Sequence, residues 1–164
     1  MTIFVKNKHT LQVDEFKFKC CIGKNGSSKN KKEGDKKTPK GTFQIENLYY
    51  REDRIKKPIT QLKNIKIKEN MGWCDDINYP QKYNKLIKIR NYIKHEKLKR
   101  KDQKYDLLIP IKYNFKKPIV NRGSCIFIHL TKNYKPTAGC IAIKKKDFLV
   151  LLKIIKKSSK IKIF

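Results

Sequence analysis

Hydrophobic and polar positions partly alternate through TIFVKN and TLQVDEFKFKCCIG, both rich in β-branched and aromatic residues. The polar Lys8 and His9 between them predict an antiparallel pair of strands. GKNGSSKNKKEGDKKTPKG has no face to bury and predicts a mobile loop over Gly23 to Lys40, after which GTFQIENLYY resumes as a strand. From Arg51 to Lys104 short apolar pieces alternate with charge, Pro58 and Pro80 interrupt, and neither a period of 3.6 nor a period of 2 persists. This stretch predicts a long, irregular insertion, about 51–104. YDLLIPIKYN and GSCIFIHL are compact apolar runs of strand length and predict central strands, the second entered through a turn at Asn121-Arg122-Gly123. Lys146 to Lys157 sets Phe148, Leu149, Leu151, Leu152, Ile154 and Ile155 among lysines, the pattern of an amphipathic helix, and KIKIF closes as a strand. The sum is a mostly β chain with one helix and no internal repeat.

A chain of 164 residues suits one core, so residues 1–164 are read as a single domain with one active site. No run approaches the roughly 18 apolar residues that span a bilayer, and MTIFVKNKHT lacks the apolar centre of a signal peptide. The formal charge of +28 points first to a polyanionic partner. With 37 Lys against 5 Arg, 22 Ile and only 2 Ala, however, the composition is that of an AT-rich coding sequence. The lysines are spread over nearly every segment, and base or phosphate reading favours arginine forks, so the pattern argues against nucleic acid as partner. Five cysteines, Cys20, Cys21, Cys74, Cys125 and Cys140, include no Cys-x-x-Cys pair, which leaves neither a complete disulfide framework nor a common zinc spacing. No metal site is expected.

The stretch with chemical content is GSCIFIHLTKNYKPTAGCIAI. An apolar strand ends at His129, a polar loop follows, and Thr137-Ala138-Gly139-Cys140 opens the next apolar piece. Adjacent strand ends can bring an imidazole within hydrogen-bond reach of a thiol, favouring the thiolate and supplying an acid for a leaving amine. The alternative is a core histidine beside an unrelated core cysteine. Gly139 permits close approach of substrate to backbone, and the chain's two alanines, Ala138 and Ala142, flank the cysteine, which suggests a steric limit. Cys20, Cys21 and Cys125 lie in apolar strands and are expected to be structural, and His95, among charges in KHEKLKRK, is expected at the surface.

His129, Thr137, Gly139 and Cys140 resemble the signature of the YkuD-type L,D-transpeptidase catalytic domain, a strand-end His followed by a loop and Ser/Thr-His-Gly-Cys. GDKKTPKGTFQI resembles the same family's Asp-x-x-Thr-Pro-x-Gly-x-Phe segment through Asp35, Thr38, Pro39, Gly41 and Phe43. With GWCDD at Gly72 to Asp76, the motif order covers the chain from about Gly23 onward. Ala138 stands where the family usually has His, and Ala142 where it has Arg or Asn.

The resemblance implies a mainly β fold, a bent sandwich or partly open barrel with one or two peripheral helices. It also implies a cofactor-free cysteine acyltransferase. Cys140 would attack the tetrapeptide donor of a peptidoglycan stem, releasing D-alanine and leaving a thioester. An amine acceptor from a second stem then forms a 3-3 crosslink. Alternatives are a carboxypeptidase or endopeptidase with water as acceptor, and a non-catalytic basic module binding wall polymer or nucleic acid. His129 would act as base, Gly139 and Cys140 N–H groups as oxyanion hole, and Thr137 or a backbone carbonyl as the group that fixes the imidazole. Asp75 and Asp76 would hold the amine of a diaminopimelate side chain with Trp73 as cleft wall, or the three form a packed turn. Tyr134 and Tyr113 would line the groove or pack. A monomer at the cell envelope or in the periplasm is the expected setting.

Overall fold

A computed structural model describes all 164 residues. Its strands β1 (Thr2–Lys6), β2 (Thr10–Val13) and β3 (Phe16–Cys21) form the expected antiparallel start, with Val5 opposite Leu11 and Leu11 opposite Phe18. Two two-residue strands, β4 (Ser27–Ser28) and β5 (Thr38–Pro39), precede β6 (Gly41–Gln44) and β7 (Leu48–Tyr50). Strands β8 (Asn64–Lys66), β9 (Met71–Cys74), β10 (Leu86–Lys88) and β11 (His95–Lys97) lie in the middle of the chain. After them come β12 (Leu107–Pro110), β13 (Phe127–Leu130), β14 (Ile141–Ile143), helix α1 (Lys145–Ile154) and β15 (Lys160–Ile163).

Ten strands make one large curled sheet in the order β6-β15-β1-β2-β3-β14-β13-β12-β7-β8, so the mainly β, half-barrel architecture is as expected. The closing strand behaves as its period-2 pattern dictates: Ile161 and Ile163 are buried, Lys160 and Lys162 exposed. Helix α1 lays Phe148, Leu151 and Leu152 onto the main core, an i, i+3, i+4 set on one face.

The centre of the sheet is apolar on both faces, which is why its strands appear in the sequence as unbroken hydrophobic runs. Leu107 and Ile109 of β12, Ile128 of β13, and Ile141 and Ile143 of β14 enter the main core. Leu108, Phe127 and Cys140 point to the opposite face, into a smaller core with Tyr49, Trp73 and Tyr105. Alternation therefore places His129 on the face of Phe127, and Ala142 on the face of Cys140.

Three expectations change. The stretch 51–104 holds four short strands: β8 joins the large sheet, and β9, β10 and β11 make a separate three-stranded sheet over the second face. Strands of three or four residues are too short to display a period, and this region is held by isolated buried anchors such as Tyr83, Ile93 and Leu98. Close approach also matters there, because a side chain at Gly72 would run 2.8 Å from the His95 ring. His95 is accordingly half-buried within β11 and paired with Cys74 rather than placed at the surface.

The Gly23 to Lys40 segment is tied down by polar contacts in place of an apolar face. Asp35 accepts hydrogen bonds from the Lys32 and Lys37 N–H groups at 2.8 and 2.9 Å and from Lys31 Nζ at 2.7 Å. Burial opposes its charge, but Lys31 and these N–H groups hold its carboxyl below the usual range. Thr38, wholly buried, accepts from the Gly23 N–H at 2.9 Å. Glu33 takes hydrogen bonds from the Tyr83 hydroxyl and, at 2.7 Å, from Ser124 Oγ. The Asp35, Thr38 and Pro39 motif is thus the scaffold of a wall that stands against the cysteine loop.

Candidate active site

Strands β13 and β14 run parallel, with Ile128 beside Ile141 and His129 beside Ala142. One step back along that register sets Cys140 beside Phe127, and the Phe127 N–H donates to Cys140 Sγ at 3.4 Å. Cys140 and His129 therefore share a face and are offset by two residues, roughly 7 Å along the strands. Both line a chamber of about 1050 Å³. A second chamber, about 640 Å³, also reaches Cys140; Glu96, Tyr105, Ala138 and Cys140 line both. Ala138 has the smallest of the four shared side chains.

The thiol does not bond the imidazole. Cys140 Sγ donates to the Cys125 carbonyl at 3.1 Å, so the sequence-based placement of the two groups in direct hydrogen-bond contact is corrected. Burial pushes the Cys140 thiol up to about 12, the Phe127 N–H pulling weakly the other way. Burial likewise lowers His129 to about 4, a neutral imidazole at ordinary pH. Its Nδ1–H donates to the Leu130 carbonyl at 2.9 Å, which leaves the Nε2 lone pair as the acceptor. The edge of Tyr105 packs on the ring, with centroids 5.4 Å apart.

Leu130 is thus the group that orients the imidazole, and Thr137 has another task. Its hydroxyl donates to the Cys140 carbonyl at 2.6 Å and accepts from the Gly139 N–H at 3.1 Å, bracing the nucleophile loop. That bond occupies the Gly139 donor, so Gly139 drops out of the expected oxyanion pair; the Cys140 N–H has no such partner. Gly139 matters sterically. At φ +144, a Cβ there would sit 2.9 Å from the Lys37 carbonyl. Gly139→Ala is expected to destabilise the fold by about 1–3 kcal/mol in a urea titration; an unchanged midpoint would show that the wall yields freely.

Trp73, expected as a cleft wall, is buried beneath the site against Phe127 and Tyr49. Its Nε1–H donates to Asn84 Oδ1 at 2.9 Å, and the same oxygen takes the Cys125 N–H at 3.1 Å. Cys125, at φ +53, lies outside the expected strand, which begins only at Phe127, and turns its carbonyl to Cys140. The indole therefore supports the nucleophile through a hydrogen-bond chain. Asp76, 8 % exposed, accepts from the Asn78 and Lys94 N–H groups, each at 2.9 Å, and shapes the turn. Asp75 lines the smaller chamber with Cys140. Its Oδ2 lies 3.4 Å from Lys94 Nζ while its buried Oδ1 has no partner. Tyr134 lines neither chamber; it stacks under Lys19 and Lys144 on another part of the surface. Tyr113 packs on Phe43 and donates to the Arg122 carbonyl. Lys31, Glu96, Tyr105 and Cys125 are the site residues that sequence reasoning passed over.

The strand-end His and Gly-Cys loop, on a curled β sheet with two chambers meeting at the thiol, define a candidate acyl-transfer site. The chain belongs to the L,D-transpeptidase catalytic domain family, YkuD, which it matches over residues 1–163. The family acts on peptidoglycan peptides and is typically associated with the cell envelope. No helix of the chain is long and apolar enough to cross a membrane. Among curated proteins and solved structures, none matches the chain.

Proposed function

We propose that this protein is a cysteine-dependent acyltransferase on peptidoglycan stem peptides, with Cys140 as nucleophile and His129 as base. The observation that carries the reading is that both side chains open into one chamber from paired strands, with the imidazole tautomer fixed by Leu130. The thiol leaves the Cys125 carbonyl as the scissile carbonyl arrives, and its proton passes to His129 Nε2 as the sulfur–carbon bond forms. The imidazolium then protonates the departing amine, the carbon–nitrogen bond breaks, and a thioester and D-alanine result. The Cys140 N–H is the donor for the tetrahedral oxyanion. In the second half-reaction an amine attacks the thioester, His129 takes the amine proton, and that proton returns to the sulfur.

Asp75 is assigned to the acceptor. A buried carboxylate oxygen without a donor is an uncommon arrangement; an incoming ammonium satisfies it and gives one proton to solvent before it attacks as the free amine. Asp75→Asn removes a charge-assisted bond of about 1.5–3 kcal/mol, so crosslinked product is expected to fall roughly tenfold or more while acyl-enzyme still forms. Equal loss of both would place Asp75 elsewhere in the cycle.

The whole reading is tested by incubating the protein with a purified disaccharide tetrapeptide and analysing the products by mass. Dimers with 3-3 links are expected. Tripeptide monomers alone would make water the acceptor and the protein an L,D-carboxypeptidase; no product and no acylated Cys140 would leave a binding module.

A further inference from the structure

Lys31 is 3 % exposed, an unusual state for an ammonium in a chain whose other lysines are mostly in solvent. Its side chain is threaded between two glycine-bearing loops. A Cβ at Gly123 would lie 2.7 Å from Lys31 Cε, and one at Gly139 would lie 3.6 Å from Nζ. The ammonium is thereby delivered to the wall of the smaller chamber, beside the residue that precedes the nucleophile. Nζ donates to Asp35 Oδ1 at 2.7 Å and to the Lys32 carbonyl at 3.3 Å, which uses two of its three N–H bonds. Asp35 shares its charge with two backbone N–H groups, so the pair is not closed to a further anion.

We propose that Lys31 is the anion-binding residue of the site and receives the terminal carboxylate of the acyl donor. This rests on the acyl-transfer reading for the identity of the carboxylate alone. That group lies one residue from the scissile carbonyl, and Lys31 Nζ stands beside Gly139, one residue from Cys140. Lys31 is a substrate-binding residue here and takes no proton.

The test uses the folded chain and two small probes, iodoacetate and iodoacetamide, with the rate at Cys140 read by peptide mass at pH 8.5. Their ratio reports a cation near the sulfur without requiring any substrate. In the wild type the ratio is expected to exceed that of a free small thiol by about tenfold, because a desolvated ammonium favours the anionic probe. Lys31→Met is expected to remove most of that preference, Lys31→Arg to keep it, and Lys36→Met, an exposed neighbour in the same chamber, to change it less than about twofold. An unchanged ratio in Lys31→Met, or an equal fall in Lys36→Met, overturns the proposal. If Lys31→Met does not fold, the wild type decides. A preference that persists in 1 M salt, where the diffuse lysine field is screened within about 3 Å, supports a buried partner, and collapse to the small-thiol ratio overturns it. A preference that holds while stem peptides give no product supports the anion site and counts only against the acyl-transfer reading.

Discussion

Cys140→Ala is expected to abolish product formation, by roughly 10⁴-fold or more, and to remove every covalent adduct seen by intact mass with a stem-peptide donor. Cys125→Ala, by contrast, is expected to retain the adduct, because Cys125 contributes only its carbonyl to the nucleophile. The contrast is informative because all five cysteines are free and four are buried, so burial alone does not single one out. Cys20 is pushed up to about 12 by burial, as Cys140 is, yet it faces the main core and lines neither chamber. Cys125 lines only the smaller chamber, whereas Cys140 also lines the chamber that holds His129, and that position is what distinguishes it. At about 12, deprotonating its thiol to bulk water at pH 7 costs about 7 kcal/mol. The resting pair is therefore neutral, and attack has to be coupled to proton transfer. Simple alkylation near neutral pH is accordingly expected to be slow and to rise about tenfold per pH unit up to pH 10. A plateau near pH 7 would reveal a preformed ion pair and contradict the neutral resting state. An adduct that survives in Cys140→Ala, or disappears in Cys125→Ala, would move the nucleophile.

The sequence carried the ends of this site more clearly than its middle. Compact apolar runs announce β12 and β13 because strands buried on both faces need no polar alternation, and the spacing from His129 to Cys140 follows from a parallel pair joined by one loop. The helix was legible too, within a few residues: 146–157 expected, Lys145–Ile154 observed. What could not be read is whatever depends on backbone groups or on long-range pairing. The Leu130 carbonyl that orients His129 and the Cys125 carbonyl that holds the thiol have no side-chain signature. Trp73 and Asp75 are two residues apart, a spacing that a continuing strand would place on one face, yet β9 ends at Cys74, so the indole lies beneath the site while Asp75 joins its wall; only the strand's end in the folded chain separates them. Lys31 is one of 37 lysines, and nothing in a Gly, Ser, Asn and Lys-rich segment distinguishes the one that Asp35 draws inward. Tyr134 failed for a similar reason: a loop aromatic next to the motif was as free to stack under surface lysines as to line the groove.

His129→Gln is expected to lower turnover by about 10²–10⁴-fold, the usual contribution of a positioned general base, with less effect on donor binding. It should also leave a mark on stability that a merely packed histidine would share but a solvent-exposed one would not. Burial holds the folded-state value at about 4, below the ordinary 6.5 of the unfolded chain. Between those values the unfolded state binds the extra proton, so this group makes stability rise with pH across that window. Its contribution is fully present above about pH 6.5 and is lost as pH falls toward 4, roughly 3 kcal/mol over the whole span. The carboxylates of Asp53, Glu69 and Asp102, each held near 2 by ion-pair partners, lose their effect at lower pH and do not mimic it. Urea titrations at pH 4.5 and pH 7 should therefore differ less in His129→Gln than in the wild type. An identical pH difference in the two proteins would mean that His129 is solvated in solution, with its burial, rather than its role as base, overturned. Loss of turnover without that change in slope would assign the base role but not its burial, whereas loss of slope with turnover intact would leave His129 as a core residue and require another base for Cys140.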